Sequence, residues 1–81
     1  MNQLIPLSDV KPDTPVLIVQ MKASGSIRQR LVDLGFIEGT HLTCILQNGK
    51  SFHAFLLRNT VIALRRQDSS SILVTPCLPN A

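Results

Sequence analysis

The segment that decides the fold spans residues 30–39 and reads Arg-Leu-Val-Asp-Leu-Gly-Phe-Ile-Glu-Gly. Two of its apolar residues, Leu31 and Leu34, follow Ile27 at the spacing i, i+4 and i+7. That spacing places the three side chains on one face of a helix. The sequence therefore predicts a helix over residues 27–34. A helix this short is marginal alone, so we expect its apolar face to pack against the rest of the fold.

Capping and turn residues bound this helix on both sides. Ser26 is the predicted N-cap, because Gln29 stands three residues later, as a capping box requires. Gly35 is placed to end the helix in a left-handed conformation, and Gly39 to form a second tight turn. The predicted core residues of the segment are Leu31, Leu34, Phe36 and Ile37.

The rest of the chain is dominated by short β-type segments. Asn48-Gly49 predicts a tight hairpin, and Arg58-Asn59 predicts a second two-residue turn. Residues 67–71 are polar and are predicted to form a single helical turn opened by Asp68. The five predicted strands cover residues 15–21, 41–47, 51–57, 61–65 and 72–75.

Alternation within two of these strands assigns their faces. In the second strand the better-buried side is predicted to carry Leu42, Cys44 and Leu46. In the third strand one face carries His53, Phe55 and Leu57, and the other carries Phe52, Ala54 and Leu56. Five short strands joined by tight turns predict a mainly β fold, and closure is the usual way for such a fold to remove its sheet edges. It is a small, partly open barrel of about five strands with one short α-helix.

Composition indicates one folded domain. The 81 residues are 44% hydrophobic and 16% charged, which is typical of a packed protein rather than a disordered one. We assign residues 1–75 to the domain and residues 76–81 to a short C-terminal tail. No apolar run approaches the roughly 20 residues of a bilayer span, and the N-terminus lacks a secretory pattern. The sequence therefore predicts a cytoplasmic protein, in which both cysteines stay reduced.

The net charge of +3 is mildly basic, but the eight positive residues are spread along the chain, with only Arg65-Arg66 adjacent. Arg28 and Arg30 form a second close pair, and the two pairs would suit either an acidic protein surface or a phosphate backbone. Aromatic residues make up 4% of the chain, which provides few rings for stacking bases. Nucleic acid is therefore not the predicted partner.

Residues with catalytic or ligating chemistry do not form a convincing site. The soft metal ligands are His41, Cys44, His53 and Cys77, and their spacing does not bring three of them to one face. The run Ser69-Ser70-Ser71 has no base nearby in sequence, and the five acidic residues are scattered singly. No glycine-rich phosphate loop is present. We therefore predict no enzyme activity, no metal site and no cofactor.

The order of these features resembles the FeoA family, the small cytosolic component of bacterial ferrous-iron uptake. The most specific match is Leu31-Val32-Asp33-Leu34-Gly35-Phe36-Ile37-Glu38-Gly39. Two further segments support it, Leu7-Ser8-Asp9-Val10-Lys11-Pro12 and Ile62-Ala63-Leu64-Arg65. The resemblance covers residues 7–75. It implies an SH3-like barrel that is also similar to the C-terminal domain of iron-dependent repressors.

The resemblance further implies a protein partner rather than a substrate. The partner that the resemblance implies is FeoB, a membrane transporter with a cytosolic GTPase domain, so membrane contact would be indirect. We expect Arg28, Arg30, Arg65 and Arg66 to form part of that contact. Two alternatives stay open, a small basic nucleic-acid-binding barrel and a metal-sensing domain related to iron-dependent repressors. Self-association through an exposed strand edge also stays open.

Overall fold

Six antiparallel strands form one sheet in this computed structural model, which describes residues 3–48 and 51–77. Their order across the sheet is β1-β6-β2-β3-β4-β5, so β1 and β5 lie at the edges. A 3-10 turn and two α-helices complete the fold. The elements are β1 (Ile5–Pro6), the 3-10 turn (Leu7–Asp9), β2 (Thr14–Met21), α1 (Gly25–Leu34), β3 (His41–Asn48), β4 (Phe52–Leu57), β5 (Thr60–Arg65), α2 (Arg66–Ser69) and β6 (Ile72–Pro76).

The five predicted strands are all present, with ends that differ by one residue at most, and the predicted fold class is confirmed. The sixth strand, β1, was not predicted. It has two residues, Ile5 opposite Val74 and Pro6 opposite Leu73, which is too short for a periodic signal. Proline cannot donate to a ladder, and its place here on an edge strand follows from that restriction.

Of the two predicted hairpin turns, the structure describes one completely and the other only in part. Arg58 and Asn59 have φ angles of +52° and +66°, so both adopt the left-handed conformation that a type I′ turn requires. This confirms the second turn. The Asn48-Gly49 turn lies outside the described residues at Gly49, although β3 and β4 pair antiparallel from Asn48 opposite Phe52.

The start of α1 differs from the prediction. The helix begins at Gly25 with Ser24 as its N-cap, so Ser26 lies inside it. The predicted capping box is wrong because the Gln29 side-chain amide donates to Oδ1 of Asp33 at 2.9 Å, one turn ahead, instead of pointing back. A side-chain pair at i and i+4 on the helix surface competes directly with the capping geometry.

The end of α1 is as predicted. Gly35 has a φ of +108°, and its backbone N–H bonds to carbonyls of the last helical turn. The positive φ favours glycine here, and a Cβ would also lie 3.0 Å from Cδ2 of Leu57, so a larger residue would require that side chain to shift. Gly39, with a φ of +90°, forms the predicted second turn.

Fewer residues of segment 30–39 lie in the core than predicted. Leu31 and Phe36 are fully buried, but Leu34 and Ile37 are 40% and 37% exposed, so their assignment to the core is wrong. Ile27, also on the predicted apolar face, is 41% exposed. Only the central residue of that face is covered. The buried core consists of Leu7, Val10, Val16, Ile18, Met21, Leu31, Phe36, Leu42, Cys44, Phe55, Leu57, Leu64, Ile72 and Val74.

A bulge in β3 changes one predicted face. Cys44 lies opposite Phe55, but Leu46 lies opposite Ala54, so the register shifts by one residue across Ile45. Leu46 is therefore 49% exposed, and its predicted burial beside Cys44 is wrong. In β4 the predicted alternation is confirmed, because its His53, Phe55 and Leu57 face is buried.

At the C-terminus, β6 continues to Pro76, and the Cys77 backbone N–H donates to the Pro15 carbonyl at 2.9 Å. Residues 78–81 of the predicted tail lie outside the described residues, and the division at residue 75 stays a prediction. Across residues 3–48 and 51–77, no helix has the length and apolar character needed to cross a bilayer.

Candidate functional site

A cleft of about 650 Å³ lies where β4, β5 and α2 meet. Of the four arginines predicted to contact a partner, Arg65 and Arg66 line this cleft. The lining residues are Ser51, Phe52, Arg65, Arg66, Gln67 and Ser70.

The β4–β5 ladder positions the two walls of the cleft. Phe52 at the start of β4 lies directly opposite Arg65 at the end of β5. The Arg66 backbone N–H then donates to the Ser51 carbonyl at 3.0 Å, which extends the pairing by one residue. The two arginines are therefore held at fixed positions by backbone hydrogen bonds, while their side chains are exposed.

The serine run next to this cleft stabilises the end of α2. Ser69, Ser70 and Ser71 each donate a side-chain hydrogen bond to the carbonyl three residues earlier, at 3.1, 2.9 and 2.7 Å. The backbone N–H groups of Ser70 and Ser71 also donate to the Arg66 and Asp68 carbonyls, so the hydroxyls of Ser69 and Ser71 add a second hydrogen bond at each of these carbonyls. These hydroxyls therefore have a structural role.

The sequence predicted that Asp68 begins the helical turn, and this prediction is wrong. The helix begins at Arg66 with Arg65 as N-cap, and no side chain caps it. The Asp68 carboxylate instead accepts a hydrogen bond from Nη2 of Arg30 at 2.8 Å, joining α2 to α1. Its side chain is 9% exposed, whereas that of Arg30 is 60% exposed. The prediction failed because the stronger partner is 38 residues away in the sequence.

This pair predicts unequal effects of its two single substitutions. R30M should lower the free energy of unfolding by about 1–3 kcal/mol, because it leaves a nearly buried carboxylate without its donor. D68N should cost under about 1 kcal/mol, because the exposed Arg30 returns to water. Urea denaturation followed by circular dichroism measures both losses.

Arg28 provides the matched control for that comparison. Its Nη2 lies 3.9 Å from Oε1 of Glu38, and both side chains are close to half exposed. R28M should therefore cost less than about 1 kcal/mol. Equal losses for R30M and R28M would contradict a special role for the Arg30–Asp68 pair.

The four predicted partner-binding arginines thus have different surroundings. Arg65 and Arg66 line the cleft, Arg30 bonds to α2 through Asp68, and Arg28 is paired with Glu38. Arg66 also lies beside an acid, since its Nη2 is 3.8 Å from Oδ1 of Asp9.

Among the described residues, no group of three or more of the soft metal ligands is arranged to hold a metal ion. Cys44 and His53 are fully buried. Burial raises the pKa of the Cys44 thiol, which donates weakly to the Leu46 carbonyl. His41 and Cys77 do meet, with Nδ1 and Sγ 3.4 Å apart. No local sequence pattern predicts that contact, because it depends on how β6 and β3 flank β2.

A family model described as the FeoA domain matches residues 5–76 of the chain. The chain belongs to the FeoA family. The match includes residues 31–39, which carried the resemblance, and all six residues that line the cleft. No curated protein shows significant sequence similarity to the chain.

Solved structures share the FeoA fold with this chain. The crystal structure of an iron uptake regulatory protein, FeoA, is 17% identical with a TM-score of 0.87, covering 93% of this chain and 100% of that one. A FeoA-like protein from Clostridium acetobutylicum is 23% identical with a TM-score of 0.86, covering 100% and 95%. A manganese-dependent transcriptional repressor is 9% identical with a TM-score of 0.86, covering 95% and 44%. These likenesses confirm the SH3-like fold and show that it is structurally similar to a metal-dependent repressor.

The sequence did not single out the cleft's other lining residues, Ser51, Phe52, Gln67 and Ser70. One signal was present, however. A two-residue turn at Arg58-Asn59 pairs Leu57 with Thr60, and counting outward along the ladder places Phe52 opposite Arg65. The position of α2 above that end of the ladder has no comparable signal in the sequence.

Proposed function

We propose that this chain is a non-enzymatic, cytoplasmic accessory protein of bacterial ferrous-iron uptake. It acts by binding the cytosolic GTPase domain of a FeoB-like membrane transporter, so its contact with the membrane is indirect. The observation that carries this proposal is the FeoA family match over residues 5–76. The structural similarity to an iron uptake regulatory protein, FeoA, supports the assignment to iron uptake.

The cleft supports a role in protein binding. Arginine is enriched at protein interfaces, where its guanidinium forms hydrogen bonds and packs against other side chains. Arg65 ends β5 and Arg66 begins α2, so these consecutive residues both line the cleft, with Phe52 opposite Arg65. A rigid ladder end with two exposed cations is a surface that another protein can dock against without a large rearrangement.

The test uses the purified full chain and the soluble GTPase domain of the transporter from the same organism. We expect saturable binding in biolayer interferometry, and a changed rate of GTP hydrolysis when the chain is added. In cells, deletion of the coding sequence should reduce uptake of radioactive ferrous iron at low external iron. Expression of the wild-type chain should restore it.

Two controls make the outcome decisive. An unrelated GTPase domain should not bind the immobilised chain, and uptake of another divalent cation should be unchanged by the deletion. Absence of binding to the transporter domain, together with normal ferrous uptake in the deletion strain, would contradict the proposed function.

A further inference from the structure

The cleft beside α2 carries positive charge that its surroundings only partly neutralise. Within residues 3–48 and 51–77, Arg65 forms no salt bridge, and Arg66 has one acidic neighbour, Asp9 at 3.8 Å. Both partners of that pair are about half exposed, so the attraction between them is weak and is open to competition. The cleft therefore favours an anionic group.

The size of the cleft indicates more than a single small anion. Its volume of about 650 Å³ is within the usual range for pockets that enclose a drug-sized ligand, roughly 300–1,000 Å³. The half-buried ring of Phe52 adds an apolar wall next to Arg65. Ser70 also lines the cleft, and its hydroxyl already donates to the Gln67 carbonyl, which leaves its oxygen able to accept from a ligand N–H. These features match a short peptide segment with an acidic and an apolar side chain.

We propose that the cleft binds a glutamate or aspartate side chain on an extended segment of a partner protein, with Arg65 as its main anchor. The planar guanidinium of Arg65 matches a carboxylate through two parallel hydrogen bonds. Arg66 adds a second positive charge when the incoming carboxylate displaces Asp9 from its guanidinium. This rests on the proposed function in one respect, because the partner that carries the acidic segment is the transporter's GTPase domain.

A protein carboxylate fits the cleft better than a nucleic acid does. Nucleic-acid affinity comes mainly from neutralising several phosphates at once, and the cleft offers two arginines, one of them beside Asp9. Two of the three phenylalanines, Phe36 and Phe55, are fully buried and cannot stack on bases. A single-stranded oligonucleotide is therefore the competitor to measure.

The first experiment measures recognition without the transporter. The probe is a fluorescein-labelled peptide of sequence Glu-Leu-Glu-Leu-Glu-Leu, and its matched partner has glutamine in place of each glutamate. Fluorescence anisotropy with the full chain should show binding of the acidic peptide only, weakening as salt is added. Tighter binding of a single-stranded oligonucleotide, or equal binding of the glutamine peptide, would overturn the proposal.

Variants with opposite expected signs test the roles of the named residues. R65Q should weaken binding of the acidic peptide by about tenfold or more, because a charge-assisted pair is lost. R65K should bind more tightly than R65Q but less tightly than the wild type, because lysine keeps the positive charge but cannot form the two parallel hydrogen bonds of the guanidinium. D9N should strengthen binding by about two- to fivefold, because it removes the carboxylate that competes for Arg66. R58Q, an exposed arginine in the β4–β5 turn, is the matched control and should bind like the wild type.

The same variants with the GTPase domain separate the two proposals. If the wild type binds the domain and R65Q binds it equally well, acidic recognition in the cleft is wrong and the proposed function stands. If the wild type does not bind the domain while the acidic peptide binds through Arg65, the cleft assignment stands and the choice of partner is wrong. Unchanged circular dichroism spectra for R65Q and D9N exclude misfolding as the cause of either result.

Discussion

Replacing Phe36 by alanine is expected to lower the free energy of unfolding by about 3–5 kcal/mol. The Phe36 side chain is fully buried and packs edge-to-face against Phe55, with ring centroids 6.2 Å apart and planes at 82°. Its backbone N–H also donates to the Leu31 carbonyl at 2.9 Å, which fixes the ring just after the helix. The β4 backbone that carries Phe55 is paired with β3 on one edge and β5 on the other, which opposes a backbone shift into the cavity.

The size of this loss matters because the domain is small. At about 0.05–0.15 kcal/mol per residue, a chain of this length has roughly 4–12 kcal/mol of total stability. F36A should therefore be largely unfolded or melt far below the wild type. Urea and thermal denaturation, followed by far-ultraviolet circular dichroism, measure the change.

The neighbouring residue supplies the control. Ile37 was predicted to share the core with Phe36, but the structure leaves it 37% exposed. I37A should therefore cost no more than about 1.5 kcal/mol, which is below the roughly 2–5 kcal/mol lost when a buried aliphatic side chain is cut back to alanine. Equal losses for F36A and I37A would show that the two side chains are buried to the same extent, as the sequence alone suggested.

The comparison of Phe36 with Ile37 shows what sequence patterns can and cannot decide here. Periodicity identifies which residues of a helix or strand lie together on a face, and it placed α1, β2, β3, β4, β5 and β6 within a few residues of their observed positions. It does not show how much of that face a neighbouring element covers. Leu31 is fully buried and Leu34 is 40% exposed, although both are leucines on the same predicted face.

The candidate site was harder to predict because its parts are distant in the sequence. Arg65 and Arg66 were identified as a charged pair, and a two-residue turn at Arg58-Asn59 fixes the residue opposite Arg65. The bond from Arg30 to Asp68 depends on where α1 lies relative to α2, which no local pattern encodes. A register shift of one residue, as at Ile45 in β3, is equally invisible to simple alternation.

The second large effect on the free energy of unfolding is expected at His53, a buried residue of β4. His53 is fully buried, and neither ring nitrogen has a hydrogen-bond partner in the described residues. Burial lowers the pKa of His53, and the positive charge of Arg66 lowers it further, while the nearby Asp9 carboxylate acts in the opposite direction. The ring therefore favours the neutral form, in which one unpaired donor and one unpaired acceptor remain inside the core.

Replacing His53 by leucine should raise the free energy of unfolding at pH 8 by about 1–2 kcal/mol. A buried polar atom without a partner costs about 1–3 kcal/mol, and the gain is reduced by loss of the edge-to-face contact with Phe55. Leucine has a similar volume, so it leaves little cavity. Urea denaturation of H53L and wild type at pH 8 measures this difference.

The advantage of H53L over the wild type should grow as the pH falls. Because the pKa of His53 is lower in the folded chain than in the unfolded chain, the unfolded chain binds more protons once the pH drops below about 6.5. The wild type then loses up to about 1.4 kcal/mol per pH unit until the folded-state pKa is reached, and H53L lacks this loss. Repeating the urea titrations between pH 8 and pH 5 measures the two slopes. A wild-type ring that protonates near pH 6.5 by NMR, or an H53L variant with the wild-type acid slope, would contradict the lowered pKa of a buried, unpaired His53.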